Sequence, residues 1–293
     1  MDPQFFVNTA YSFLLLATIS SSFFLVFKPS KYFHLSHAAV IILGAYTFFG
    51  TSAAGLGVVA STLIALLCAT LLGVASELLF YRRLSNGTDA GIKILVLSLG
   101  VYLVVQNAIS IAFGNQILLI DPCGGCLRTT VRWPQFALSM AQILAAGLSS
   151  VVLLMLLVVW YRTGFGRAAR SISENRELAG TIGVNVNRVV LLSVALGSLA
   201  AGIVGLLISF EVGVSPTSGF FFLLYGIIAV VIGGNESLIG TIAGAFVLAV
   251  LQSGTSYFID SKWASTVSYV LLVVFLLLRP QGVGALSLAA ERR

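Results

Sequence analysis

Few residues in this chain are of types that do chemistry, and most of those stand at the ends of apolar runs. Its only histidines are His34 and His37, with no H-E-x-x-H pair to hold zinc. Glu77, Glu211, Glu236 and Asp260 border long hydrophobic stretches instead of lying inside them. Ion-coupled carriers place carboxylates or imidazoles within the membrane, where charge is costly and kept for function. That signature is missing. None of Lys28, Lys31, Lys93 and Lys262 completes a G-x-x-x-x-G-K-[ST] loop, so the chain does not bind ATP as a P-loop protein. A G-x-S-x-G elbow is also lacking, as is an aspartate pair for proteolysis. The expectation is a non-enzyme with no catalytic residues, no metal and no cofactor of its own. Cys68 reads as packing. Cys123 and Cys126 in "DPCGGC" suit either a strained disulfide or an incidental pair, because no second ligand pair for zinc lies nearby. The polar groups within apolar runs are chiefly Gln106, Asn107, Ser98, Ser110 and Ser209. Gln106 and Asn107 either line a path for a polar solute or hydrogen-bond between helices, the latter worth about 1 kcal/mol or less each.

The elements carrying these residues are set by composition. Of 293 residues, 58% are hydrophobic and 9% charged, and the mean hydropathy is +1.04. Soluble domains carry about 25% charged residues, so the solvent here is lipid. Without water, backbone groups must pair internally as helices or a closed barrel. The apolar runs are continuous and rich in Leu and Ala, which excludes a barrel. They lie near 7–27, 36–52, 56–80, 92–113, 136–160, 188–210, 219–233, 238–258 and 264–278. The fold class is therefore all-α: a polytopic transmembrane bundle of about eight or nine segments, some short or broken, as one domain over 1–293. The opening stretch has no basic residue before its apolar run, so it reads as a retained first helix and not a cleaved signal. With all nine crossing and the N-terminus outside, only Arg128, Arg132 and Lys262 of the 16 Lys and Arg lie outside. This fits the positive-inside rule, and such loop charges are no nucleic-acid signature. The segment 219–233 reaches about 22 Å at 1.5 Å per residue, short of a core of about 30 Å. It can be re-entrant, which would flip the side of the C-terminus. "HLSHAAVIILGAYTFFG" and "TSGFFFLLYGIIAVVIGG" echo each other in the two halves, a pattern that marks solute paths in transporters and also arises by chance. Small residues at Gly197, Ala201 and Gly205, and at Gly240 and Gly244, allow close helix contact, within the chain or between subunits.

On this topology, 161–187 is the largest cytoplasmic loop. Its "RSISENRELAGTIGVNVNR" holds five charges in nineteen residues. Ser171 and Glu174 match S-x-x-E, a capping box, which predicts a helix from about Ile172 to Ile182. Gly183 suits the left-handed position after it, and Asn187 suits the cap of the next helix. Glu174, Leu178 and Ile182 would share one face, with Ala179 small enough beside them to admit another surface.

The stretch "GFGRAARSISENRELAGTIGVNVNR" resembles permease subunits of branched-chain amino acid ABC importers. Gly166, Arg167, Ala168, Arg170, Glu174, Asn175, Ala179, Gly183, Asn185 and Arg188 match that pattern. Downstream, Gly233, Gly234, Ser237, Gly240 and Gly244 match its glycine-rich segment, and "LLLRPQGVGAL" matches its close. Within "HLSHA", Ser36 and His37 are kept while Ala38 replaces a glycine, and Glu236 replaces another. The resemblance implies a bacterial inner-membrane permease that forms a path with a second, identical or homologous permease subunit. Two cytoplasmic ATPases would hydrolyse ATP, and a periplasmic solute-binding protein would deliver the solute. Residues 170–183 would be the coupling helix, with Arg170, Glu174, Asn175, Leu178, Ala179, Ile182 and Gly183 facing the ATPase. Ser36, His37, Gln106, Asn107, Gly233 and Gly234 are the candidates for the path. The expected solute is a branched-chain or neutral amino acid. The alternatives are urea or a short amide, a stand-alone channel or secondary carrier, and a scaffold without a path.

Overall fold

The computed structural model describes residues 2–85, 89–119, 125–132 and 134–278. The helices are α1 Pro3–Ser30, α2 His37–Ala53, α3 Val58–Ser76, α4 Arg82–Leu84, α5 Ala90–Phe113, α6 Met140–Arg162, α7 Gly164–Glu174, α8 Arg176–Thr181, α9 Val186–Glu211, α10 Ser218–Gly233, α11 Leu238–Phe258 and α12 Ala264–Leu278. A π-helical turn, Glu77–Tyr81, joins α3 to α4 without a break. A small hairpin pairs β1 Thr130–Arg132 antiparallel with β2 Ala137–Ser139.

Six of these units are long and apolar enough to cross a membrane: α1, α3 with α4, α5, α6, α9 and α11. The short apolar helices α2 (17 residues) and α10 (16 residues) fall where the sequence expects them, and α12 is as short at 15. Burial separates centre from periphery. Two thirds of the most apolar window of α1 and of α9 is buried, against 22% for α3 and for α5. The central pair packs against α2, α10 and α11.

Lipid offers no hydrophobic drive between helices, so close approach and dispersion must hold them together. Small residues supply that approach. Gly205 of α9 lies against the Ile41 carbonyl of α2, and Gly197 against Ser22 and Val26 of α1; a Cβ at either would collide. Gly233 and Gly244 likewise bring α10 onto α11. Both small-residue faces that suggested a subunit interface are thus filled from within the chain.

Polar contacts gather the helix ends into two sets. At one end the Tyr257 hydroxyl donates to Asp2 at 3.1 Å, Gln142 Nε2 donates to Glu211 Oε1 at 2.8 Å, and Leu118 and Val214 exchange backbone hydrogen bonds at 2.9 Å. At the other, Lys28 pairs with Glu236 at 3.0 Å and the Ser173 hydroxyl donates to the Lys28 carbonyl at 3.2 Å. The bundle therefore has an Asp2 end and a Lys28 end.

Candidate functional site

The α7–α8 segment lies at the Lys28 end, and its caps differ from those read off the sequence. Thr163 starts α7 by accepting from the Gly166 amide at 3.1 Å. Ser171 is inside α7, its hydroxyl donating back to the Ala168 carbonyl at 2.9 Å, so no capping box forms with Glu174. The break comes at Asn175, in extended conformation, whose Oδ1 accepts from the Leu178 amide at 3.0 Å and starts α8. Asparagine ranks with serine as an N-cap. Here α7 is already fixed, because Ala169, Ile172 and Ser173 are buried against the bundle. Gly183 has φ +89°, as its capping position requires. Asn185, not Asn187, caps α9 by accepting from the Arg188 amide at 3.0 Å.

The break regroups the side chains. Glu174 no longer shares a helical face with Leu178 and Ile182. Ala179, expected to face outward, is 2% exposed and packs into the main core beside Val184 and Val186. It roots α8 and leaves Leu178 61% and Ile182 70% exposed. Arg170 is committed within the chain: its guanidinium donates to the Trp160 carbonyl and lies over the Tyr161 ring. Glu174 and Asn175 are exposed beside the apolar pair. Arg176 of α8 and Arg82 of α4 lie near enough for their charges to act on buried Glu77 in the π-helical turn.

Ser36 and His37 sit in a buried junction between α1, the 31–36 connection and α3. Tyr81 donates to the Ser36 hydroxyl at 2.6 Å, and His37 Nε2 meets the Ser22 hydroxyl at 3.1 Å. His34 Nε2 meets the Ser30 hydroxyl at 3.0 Å. Burial first, then the neighbouring His37, lowers the His34 pKa to about 3. It is therefore neutral at physiological pH and acts as a plain hydrogen-bonding group. Gly233 forms the close contact with Gly240, Gly234 takes φ +84° at the turn, and Ser237 caps α11 by accepting from the Gly240 amide at 2.9 Å. The matched glycines thus build the α10–α11 corner. Glu236, where the family pattern has glycine, forms the ion pair with Lys28. Gln106 is half-buried, while Asn107 is exposed and donates back to the Leu103 carbonyl at 2.7 Å. The six path candidates fall in three local groups: at the junction of α1 and α2, on α5, and at the α10–α11 corner. Cys123 lies outside the described residues, and with it the Cys123–Cys126 pairing.

Sequence reasoning missed a cavity of about 730 Å³ at the Asp2 end, bordered by α1, α6, α9, α10, α11 and α12. Tyr11, Gln142, Glu211 and Gln252 give it polar walls, and Leu15, Ile19, Ile208 and Phe222 an apolar lining. Its members lie far apart in the chain, so no local motif announces it. The one available signal was that Glu211 and Gln142 stand at helix ends on the same side.

The sequence model of the branched-chain amino acid transport system permease component matches residues 5–276. The high-affinity branched-chain amino acid transport permease LivH of Escherichia coli K12 is 25% identical over 91% of this chain and 90% of its own. BraD of Pseudomonas aeruginosa, of the same description, is 23% identical over the same shares. The xylose transport permease XylH of E. coli is 36% identical over 39% of this chain and 31% of its own. Among solved structures, PsaBC from Streptococcus pneumoniae in complex with Fab matches with a TM-score of 0.54 at 12% identity, covering 94% of this chain and 92% of that one. At that identity the likeness concerns the fold alone. With six long apolar helices and a family match over nearly its whole length, the chain is a multi-pass membrane protein. It belongs to the branched-chain amino acid transport permease family, the membrane permeases of ABC importers, which work with ATPases and a solute-binding protein.

Proposed function

We propose that this chain is one of two permease subunits of an importer for branched-chain or other neutral amino acids in the bacterial inner membrane. Two cytoplasmic ATPases and an extracytoplasmic solute-binding protein complete the assembly. The whole chain acts as one domain with nine crossings, the Asp2 end outside and the Lys28 end inside. The grouping of helix ends supports this where it reaches: α1 runs from the Asp2 end to the Lys28 end, α11 returns from the turn holding Glu236 to Tyr257, and α9 leads from the α7–α8 segment to Glu211 at the Asp2 end.

The observation that carries the proposal is the shape of α8. It is a capped six-residue helix, rooted by Ala179, holding Leu178 and Ile182 out from the basic end of the bundle. An isolated helix this short is unstable in water, and an exposed apolar pair gains by entering a partner's groove. Glu174 and Asn175 frame the pair, Arg170 braces α7 on α6, and Gly183 turns the chain back to the membrane. These residues form the coupling element on this reading, with 161–187 as the coupling loop. The amino-acid solute follows from relatives that match along 91% of the chain, where the xylose permease matches 39%.

The test is Leu178→Asp with Ile182→Asp. A charged side chain in a desolvated interface costs several kcal/mol. Co-purification with the ATPase should fall at least about tenfold, about 1.4 kcal/mol, and ATP-driven leucine uptake should vanish while the permease remains in the membrane. Uptake that survives in this variant, or that survives ATP depletion in the native chain, refutes the reading and favours a stand-alone channel.

A further inference from the structure

The cavity at the Asp2 end holds an unsettled carboxylate. Glu211 Oε1 accepts from Gln142 Nε2, but Oε2 is sealed from solvent and has no hydrogen-bond partner. The hydroxyl of Tyr11, another residue of the lining, is buried and unpartnered as well. Buried polar atoms are nearly always paired, and an orphan costs about 1–3 kcal/mol, more when charged. Two orphans bordering one cavity point to a donor that arrives from outside the chain. Rotation about the soft terminal torsion of a glutamate turns Oε2 toward the cavity at little cost.

The cavity's charge and size narrow the class of that donor. Asp2 and Glu211 are the charged residues of the lining, and no Lys, Arg or His is among the described residues there. An anionic group finds no cation to pair with in this lining, so the carboxylate of a zwitterion is left to neutral donors such as Gln252 and Ser253. A volume of about 730 Å³ falls within the roughly 300–1,000 Å³ of small-molecule sites. Leu15, Ile19, Ile208 and Phe222 supply apolar surface in the same lining as the carboxylate. We propose that this cavity binds a solute carrying an ammonium group and an aliphatic chain, with Glu211 and Tyr11 receiving the ammonium and the apolar wall taking the chain. Urea, which has neither group, fits poorly. The proposal rests on the importer reading, because it takes the Asp2 end as the side from which solute arrives.

Ser256, exposed on the cavity wall, offers a reporter. The variant Ser256→Cys with Cys68→Ser, co-purified with its ATPase and without the binding protein, is alkylated with neutral N-ethylmaleimide. The same protein lacking the Ser256 change serves as blank. Leucine and isoamylamine should slow labelling about tenfold when present at about ten times their Kd. Isocaproate, with the same chain and no ammonium, should not slow it. Glu211→Gln, which keeps the Oε1 acceptor and removes the charge, should abolish the protection. Protection by all three compounds, or by none, overturns the proposal. Protection by the amine that persists in Glu211→Gln overturns the role of Glu211. If that variant fails to assemble, the amine-against-acid comparison on the native Glu211 background decides. Absence of ATP-driven leucine uptake by the full importer, with amine-selective protection intact, would instead count against the importer reading alone.

Discussion

Two polar clusters are buried at opposite ends of this bundle, and they differ in how completely they are paired. At the Lys28 end Ser22, Ser36, His37 and Tyr81 bond one another across α1, α2 and the α3 extension. At the Asp2 end Glu211 has one oxygen bonded and one orphaned, and the orphaned Tyr11 hydroxyl belongs to a residue lining the same cavity. In a low-dielectric interior a satisfied network locks helices in place, and an unsatisfied one is a standing cost. The side chains of the first cluster are paired with one another; the second borders a cavity of about 730 Å³. Being polar and buried therefore does not by itself mark a solute site. Unpaired atoms next to open space are the more discriminating sign.

The largest effect on this contrast should come from His37→Ala. It removes a ring packed near Phe23 and buried in the junction. Loss of a buried side chain of this size costs roughly 2–5 kcal/mol, read as a lower thermal midpoint of the purified complex. Amine protection at Ser256→Cys should be unchanged in the protein that folds. Loss of protection without loss of stability would mean that His37 touches solute and that the two clusters are not distinct in kind.

Tyr81→Phe is the subtler form of the same test. It deletes one donor, leaving the Ser36 hydroxyl short of a partner, for about 1–1.5 kcal/mol. The thermal midpoint should drop by a few degrees and solute preference should stay put. A changed preference with an unmoved midpoint would reverse the assignment.

How much of this was legible in the chain depended on range. Segment positions, the short α2 and α10 and the left-handed Gly183 are local properties, and they stand as read. The α7–α8 caps are local too, yet the choice among them was not. S-x-x-E at Ser171 and the asparagine at Asn175 are both valid starts, and docking of Ala169 and Ile172 decided for Asn175. That shift moved Ala179 from the outward face to the core, because helical phase restarts after the break. Glu211 and Gln142, 69 residues apart, form a pair that no periodicity can announce. The glycines of 233–244 were visible as a pattern, but whether they faced solute or another helix depended on the α10–α11 contact.

Asn107→Leu should have the smallest effect and sharpens the contrast from the other side. Asn107 is polar, lies in a spanning helix and was a natural candidate for a solute path. Its amide donates to the Leu103 carbonyl one turn back, its side chain is exposed, and it does not border the cavity. A local back-bond of this kind leaves the helix's own hydrogen bonding intact. Replacing it with an apolar chain of similar size on a lipid-facing surface should change stability by no more than about 0.5 kcal/mol. Uptake and solute preference should match the native protein. A strong loss of uptake would place a working polar surface on the outer face of α5, and would show that solute sites here are not confined to orphaned groups beside the cavity.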